Sequence, residues 1–160
     1  MNFHSDKPWN PFGNVGVQDY AYRTDLTVTT NSSLISSTLN KLKTLDGGDA
    51  KNSQLEALLQ ASVRDEPGWT SSSRRIVVIV TKSVYHDRES SANLTDNNGD
   101  STLGAFENYP TRAQVANALL NRNVYPVFIC LDSVSSYYNT LVNSLGFGSV
   151  ITFTKNKVSK

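Results

Sequence analysis

The sequence predicts an α/β domain with a mostly parallel sheet and helices on both faces. Two observations support this fold class. The apolar runs IVVIV at 76–80 and VFICL at 127–131 are short and do not alternate with polar residues. Such runs are typical of strands buried on both faces of a parallel sheet. Segments with a helical spacing of apolar residues separate the runs, and strands that alternate with helices indicate parallel strand–helix–strand units.

The first half of the chain predicts one strand and two helices. Residues 20–29 alternate and are rich in β-branched side chains, which favours a strand. Asn31 precedes leucines and an isoleucine at helical spacing, as a helix N-cap does. A second helix is predicted over residues 50–63, with an inward stripe at Leu55, Leu58, Leu59 and Ser62 or Val63.

The second half repeats this alternation after one long polar segment. Residues 76–81 predict a buried strand, and residues 83–109 are too long and polar for an ordinary connection. Pro110 is expected in the first turn of the next helix, where its missing N–H is tolerated. The remaining predicted elements are a strand over 124–131, a helix over 133–144 and a strand over 149–153.

Composition limits the classes of function. A length of 160 residues fits one domain, and a net charge of +1 argues against a nucleic-acid partner. The apolar runs are too short for a membrane segment, and the amino-terminal residues lack the basic and apolar regions of a signal peptide. We therefore expect a globular domain with no nucleic-acid partner and no membrane-spanning segment among these residues.

The most specific motif is DGGDAKNSQLEALLQASVRDEPGW at 46–69. It resembles the middle of the von Willebrand factor A-type (vWA, or I-like) domain of integrin β subunits, where a similar loop precedes a similar helix and a Gly-Trp follows. The short cysteine-free loop at 8–20 is closest in style to integrin β-like adhesion proteins of protists. The resemblance continues in order at Asp6-Lys7-Pro8, 75–81, Tyr109-Pro110, 121–128 and 137–150.

The resemblance implies a Rossmann-like vWA fold. Residues 1–160 are then expected to form a single partial domain, truncated at both ends. The family's first strand–helix unit would precede the sequence, and its last helix would follow it.

The resemblance also implies a divalent-metal site, which this sequence changes. The family binds Mg²⁺ and Ca²⁺ through oxygen ligands, but Lys51-Asn52 aligns with its Pro-Glu and Lys82 with an Asp. Asp49 and Asn52 remain as weak, remnant metal ligands. We therefore expect a degenerate site and no cofactor in this chain alone.

By this resemblance, the function is cell adhesion through a protein ligand, without enzymatic activity. The partners implied are that ligand and either an alpha-like subunit or the missing part of the domain. The location implied is the cell surface, if the chain is part of a longer receptor. The residues expected in ligand-facing loops are Trp9, Phe12, Asp49, Lys82 and Tyr85.

Two alternatives stay open. The first is a small α/β hydrolase that uses Ser90 or Ser91 with His86, although no nucleophile-elbow motif is present. The second is a non-functional fragment. If neither applies, we interpret His4 and His86 as solvated loop residues, because neither has metal-ligand spacing to another histidine or cysteine.

Overall fold

The computed structural model describes residues 1–13, 19–42, 49–89 and 93–154, with the side chains of residues 2 and 3 left aside. Its main sheet has three parallel strands in the order β4 (Arg75–Thr81), β6 (Val124–Leu131) and β7 (Ser149–Phe153). Two small pairs accompany it: β1 (Asn2–Phe3) with β2 (Arg23–Thr24), antiparallel, and β3 (Lys51–Asn52) with β5 (Val84–Tyr85), parallel. The predicted α/β fold with parallel strands is confirmed.

Within the described ranges, four α-helices connect these strands: α1 (Ser32–Asn40), α2 (Gln54–Val63), α3 (Arg112–Arg122) and α4 (Ser135–Leu145). A 3₁₀ turn at Asp132–Val134 precedes α4. The predicted cap of α1 is confirmed, since the Asn31 side chain accepts a hydrogen bond from the Leu34 N–H. Among the described residues, no helix combines the length and the apolar character that crossing a bilayer requires.

Three boundaries differ most from the prediction. The strand expected over 20–29 is reduced to β2, and the helix expected from residue 50 begins at Gln54 because Lys51 and Asn52 pair with β5 instead. The helix expected to begin at Pro110 begins at Arg112. Thr111 is its N-cap and forms a reciprocal capping box with Gln114.

The core lies between one face of the main sheet and α2, α3 and α4. The inward stripe predicted for α2 is confirmed at its leucines and Ser62, and the burial extends around the whole helix from Gln54 to Ser62. Burial of such side chains contributes roughly 1.5–3 kcal/mol each. The central members of the core are Leu55, Leu58, Leu59, Val115, Leu119, Phe128, Tyr138 and Leu141.

The other face of β4 is open, which corrects the expectation of a strand buried on both faces. Ile76, Val78 and Val80 are 52%, 52% and 64% exposed. Residues 76–80 are all apolar, and this pattern predicted burial on both faces of β4. Whether the second face is buried depends on other segments that pack against it, which the apolar pattern does not reveal. None of the α1 residues is buried, so the described part of this helix does not provide that cover.

A cleft of about 880 Å³ follows the open side of β4. Within the described ranges β4 pairs only with β6, so its other edge is free. Residues around β1 and in α1 also line this cleft. Representative lining residues are Met1, His4, Tyr20, Leu39, Ala61 and Val78.

His4 on this cleft predicts a pH dependence of stability. Burial lowers the pKa of its imidazole from 6.5 to about 4. The unfolded chain therefore binds a proton in this range that the folded chain does not, so stability is complete above pH 6.5 and is lost as the pH falls toward 4. The free energy of unfolding, measured with urea, should fall between pH 6.5 and pH 4 in the wild type. We expect this fall to be roughly 2 kcal/mol smaller in His4→Gln, which lacks the imidazole. An unchanged pH slope in the variant would contradict this assignment.

Candidate functional site

The segments that follow β1, precede β3 and follow β5 come together in the fold. Ser5 joins them, because its N–H donates to the Tyr20 carbonyl and its own carbonyl accepts from the Ser53 N–H, at 2.9 and 2.8 Å. The His86 N–H donates to the Asn52 carbonyl at 2.9 Å, which extends the β3–β5 pairing. As a result Asp6, which follows β1, lies beside Asp49 before β3 and His86 after β5.

Asp6, Asp49 and His86 form a cluster of potential ligands, which we call the Asp-Asp-His site. His86 Nε2 lies 3.3 Å from Asp49 Oδ1 and 3.6 Å from Asp6 Oδ2. One ligand atom from each residue falls within 4.8 Å of the other two. The Asp6 and His86 side chains are 0% and 2% exposed, whereas that of Asp49 is 40% exposed. The site therefore has two buried side chains, Asp6 and His86, and one solvent-facing carboxylate, Asp49.

Two atoms of this site are buried without a hydrogen-bond partner among the described residues. They are Asp6 Oδ2 and His86 Nε2, and each faces the other. Leaving a buried polar atom unpaired costs about 1–3 kcal/mol. Such atoms in a native site call for an explanation, and a bound ion is one of the usual ones.

Tyr109 holds both buried members in place. Its hydroxyl donates to Asp6 Oδ1, which also accepts the Lys7 N–H at 2.9 Å. Its ring stacks on the His86 imidazole with 4.5 Å between centroids and an interplanar angle of 5°. Burial, reinforced by the charge of Asp6, raises the pKa of the Tyr109 hydroxyl well above its usual value, so it remains a donor.

Glu89 supports His86 from the other side of the ring. Its Oε1 lies 3.4 Å from His86 Nδ1 and 2.9 Å from Lys51 Nζ. The hydrogen bond from Lys51 is the main cause that lowers the pKa of Glu89, and the same bond raises the pKa of Lys51. Glu89 is thus a charged acceptor whose own charge is balanced by Lys51.

A buried ion pair lies beneath the site. Lys7 Nζ is 2.9 Å from Glu56 Oε2, and both side chains are 0% exposed. The Lys7 ammonium also donates to the carbonyls of Glu107 and Asn108 at 3.1 and 2.8 Å. Burial raises the pKa of Glu56, and Lys7 opposes that rise. Lys7 therefore ties the segment that carries Asp6 to α2 and to the loop before α3.

Of the two predicted metal ligands, Asp49 and Asn52, the structure places one in the site and one outside it. Asp49 is part of the Asp-Asp-His site. Asn52 is not, and its amide donates instead to Ser83 Oγ at 2.7 Å. Lys82 is exposed at the end of β4.

Two of the predicted ligand-facing aromatics need correction. Phe12 is 1% exposed and Tyr85 is 7% exposed. Phe12 packs edge-on against His86 and Tyr109, and Tyr85 packs edge-on against Tyr138, so both stabilise the interior. Trp9 is partly buried beside Phe106, whose ring is 56% exposed.

His86 is also corrected, because it is buried rather than solvated. One sequence signal pointed to Asp6, its position in the Asp6-Lys7-Pro8 motif, but no signal indicated its proximity to His86. Ser90 and Ser91, the nucleophiles of the hydrolase alternative, lie outside the described residues. The contacts of the described His86 ring are with carboxylates and aromatic rings.

The donors of the site suit a divalent cation, but they do not form an all-oxygen ligand shell. Asp6 and Asp49 supply two carboxylates, whose charge matches a divalent ion. Mg²⁺ and Ca²⁺ prefer oxygen ligands, whereas the third donor here is an imidazole nitrogen. When bound, the ion would neutralise the carboxylates and offer a position for an oxygen of a ligand or of water.

Comparison with known proteins identifies the family. The model of the integrin beta chain VWA domain matches residues 2–159. Integrin beta-2 of Sus scrofa is 28% identical over 157 residues, which cover 89% of this chain and 20% of that protein. Integrin beta-4 of Homo sapiens is 27% identical over 117 residues, 61% of this chain and 6% of that protein. The chain thus spans about a fifth of the length of the beta-2 relative.

These similarities support an adhesion-related ligand-binding domain of the receptor class rather than an enzyme. The chain belongs to the integrin β chain VWA domain family.

Proposed function

We propose that this domain binds a protein partner in cell adhesion through the loops at the carboxyl edge of its sheet. The observation that carries the proposal is the family match over residues 2–159. Loops at this edge are where open parallel sheets bind ligands. The location that follows is the cell surface, when the domain is part of a longer receptor.

The contact surface we propose consists of Trp9, Asp49, Lys82 and Phe106, and we call it the loop-edge surface. Phe106 is 56% exposed and its ring centroid lies 6.3 Å from that of Trp9, so together they form an aromatic patch. Asp49 and Lys82 add exposed charges of opposite sign. Exposed aromatics commonly dominate binding energy, while charges set orientation and specificity.

A bead-to-cell adhesion assay tests this surface. Beads coated with the wild-type chain, Phe106→Ser or Lys82→Glu are applied to a panel of cells under shear. We expect each loop-edge variant to reduce retention at least about fivefold, since one lost anchor costs about 1–2 kcal/mol or more. Leu120→Ser is the matched control, because Leu120 is 58% exposed but lies on α3. Equal retention of all variants would overturn the assignment.

We also propose that the cleft along β4 takes an extended apolar strand from polypeptide outside residues 1–160. Of the two partners implied by the resemblance, this is the missing part of the domain rather than an alpha-like subunit. The free β4 edge and the exposed Ile76, Val78 and Val80 support it, because parallel sheets are covered on both faces and free edges are normally paired or protected. The matched region is 20% of integrin beta-2 of Sus scrofa, so that relative has further polypeptide outside it.

Val78→Lys tests whether this face is open in the isolated chain. If it is, the free energy of unfolding should change by no more than about 0.5 kcal/mol, as at ordinary surface sites. The fluorescence of an apolar dye bound to the face should fall, since a charge is placed at its centre. A loss of several kcal/mol would mean that the face is already covered, and it would overturn this part of the proposal.

A further inference from the structure

We infer that the Asp-Asp-His site binds a borderline transition-metal ion of the Zn²⁺ type in preference to Mg²⁺ or Ca²⁺. The inference concerns the donor atoms of this chain. It shares Asp49 with the loop-edge surface, but it does not depend on binding of a protein partner there. It rests on the spacing of three ligand atoms, on two buried atoms that lack partners and on the groups that orient them.

The spacing of the donors suits a small four-coordinate ion. Zn²⁺ binds imidazole nitrogen and carboxylate oxygen at about 2.0–2.2 Å, so neighbouring ligands of a tetrahedral site lie about 3.4 Å apart. His86 Nε2 is 3.3 Å from Asp49 Oδ1 and 3.6 Å from Asp6 Oδ2. The two carboxylate oxygens lie within 4.8 Å of each other, and Asp49 Oδ1 is held in place by the Lys51 N–H, which donates to it at 2.7 Å. Three protein ligands leave one position for water or a ligand.

The identity of the donors decides the preference among metals. Imidazole nitrogen is a common ligand of Zn²⁺, Co²⁺ and Ni²⁺, and affinity at nitrogen-containing sites rises from Mn²⁺ toward the later metals. Mg²⁺ and Ca²⁺ favour six or more oxygen ligands. At this position Asn52, the aligned counterpart of the family's glutamate, turns to Ser83 and supplies no carboxylate. The buried nitrogen of His86 therefore replaces an oxygen rather than adding to a complete oxygen shell.

The buried atoms without partners are the independent sign of a ligand. Asp6 Oδ2 and His86 Nε2 face each other but make no hydrogen bond within the described part of the chain. The remaining polar atoms of both side chains are engaged, since Asp6 Oδ1 accepts from Tyr109 and Lys7, and His86 Nδ1 faces Glu89. An ion at this point would use both free atoms.

The surrounding groups have the arrangement that supports a metal-bound histidine. A ligating imidazole usually donates its second ring N–H to a carboxylate, which fixes the tautomer and the ring orientation. Glu89 Oε1 lies 3.4 Å from His86 Nδ1, and Tyr109 stacks against the ring. Lys51 neutralises Glu89, so the charge left over is that of Asp6 and Asp49. The two carboxylates of the site match the charge of one divalent ion.

The competing explanation is a protonated His86 that pairs with the carboxylates and holds no metal. Calorimetric titration of the chelator-treated chain with Zn²⁺, Mn²⁺, Mg²⁺ and Ca²⁺ distinguishes the two. We expect Zn²⁺ to bind at least tenfold more tightly than Mg²⁺ or Ca²⁺ and to raise the thermal midpoint in a concentration-dependent way. Absence of Zn²⁺ binding, or an affinity no higher than that for Mg²⁺, would overturn the inference.

Variants of the proposed ligands test whether the ion binds at these residues. His86→Gln and Asp49→Asn should each weaken Zn²⁺ binding by at least tenfold, whereas Glu89→Gln should weaken it by roughly ten- to a hundredfold through the ring orientation. His4→Gln is the control, because it removes the other histidine of the chain and should bind Zn²⁺ as the wild type does. Equal losses in His4→Gln and His86→Gln would mean adventitious histidine binding.

A spectroscopic readout completes the test if His86→Gln fails to fold. X-ray absorption of the Zn²⁺-loaded wild-type chain should contain the outer-shell scattering of one imidazole. Asp49→Asn changes an exposed side chain, so it keeps the fold and serves as the second variant. A spectrum without imidazole scattering would exclude His86 as a ligand, whatever the affinity.

Discussion

Lys7→Met is expected to lower the free energy of unfolding by about 3–5 kcal/mol. The change removes the ammonium that lies 2.9 Å from Glu56 and leaves this carboxylate 0% exposed and without its charge partner. It also deprives the carbonyls of Glu107 and Asn108 of a donor. Urea unfolding followed by circular dichroism measures the loss. A loss of this size is a large part of the stability of an ordinary domain.

The matched control is Lys51→Met, which breaks an ion pair of the same length at the surface. Lys51 and Glu89 also lie 2.9 Å apart, but their side chains are 45% and 34% exposed. Solvent screening limits such a pair to about 0–1 kcal/mol. The double variant Lys7→Met with Glu56→Met should recover part of the loss, because it removes the Glu56 charge together with its partner. The Glu107 carboxylate, 3.9 Å from Lys7 Nζ, still loses its cation in this variant. Similar losses for the buried and the exposed pair would show that burial does not govern the effect.

The ion pair illustrates what the sequence can and cannot predict. Apolar periodicity gave the inward stripe of α2, because Leu55, Leu58 and Leu59 repeat at helical spacing. The same periodicity says nothing of Glu56, which lies on the same helix and is equally buried. Its partner Lys7 is 49 positions away by number, and only the tertiary fold brings the two charges together.

The candidate site was predictable only in part for the same reason. Asp49 was found through a local motif, but its relation to His86 depends on the pairing of β3 with β5. Each of these strands has two residues, too few to give a periodic signal. The open face of β4 was missed because an apolar run does not reveal which segments cover it. Local patterns thus predicted elements, whereas contacts between short elements required the structure.

Tyr109→Ala is expected to cost about 3–5 kcal/mol of unfolding free energy, and Tyr109→Phe about 1–3 kcal/mol. The ring is 0% exposed and packs against both Phe12 and His86, so its removal opens a cavity at the base of the site. The phenylalanine variant keeps the ring but removes the hydroxyl that contacts Asp6, the Lys7 N–H and Ser53. Urea unfolding of the two variants separates packing from hydrogen bonding.

Tyr109→Phe should lower the free energy of unfolding less than Tyr109→Ala because the ring remains. In addition, Asp6 Oδ1 keeps the Lys7 N–H as a donor when the hydroxyl is lost. Tyr137→Phe is the control for removal of a phenol oxygen, since Tyr137 is 54% exposed on α4 and should change stability by less than about 0.5 kcal/mol. If Tyr109→Phe were as harmless as Tyr137→Phe, the hydroxyl would not be holding Asp6. If it cost as much as Tyr109→Ala, the hydrogen bonds rather than the ring would hold the base of the site together.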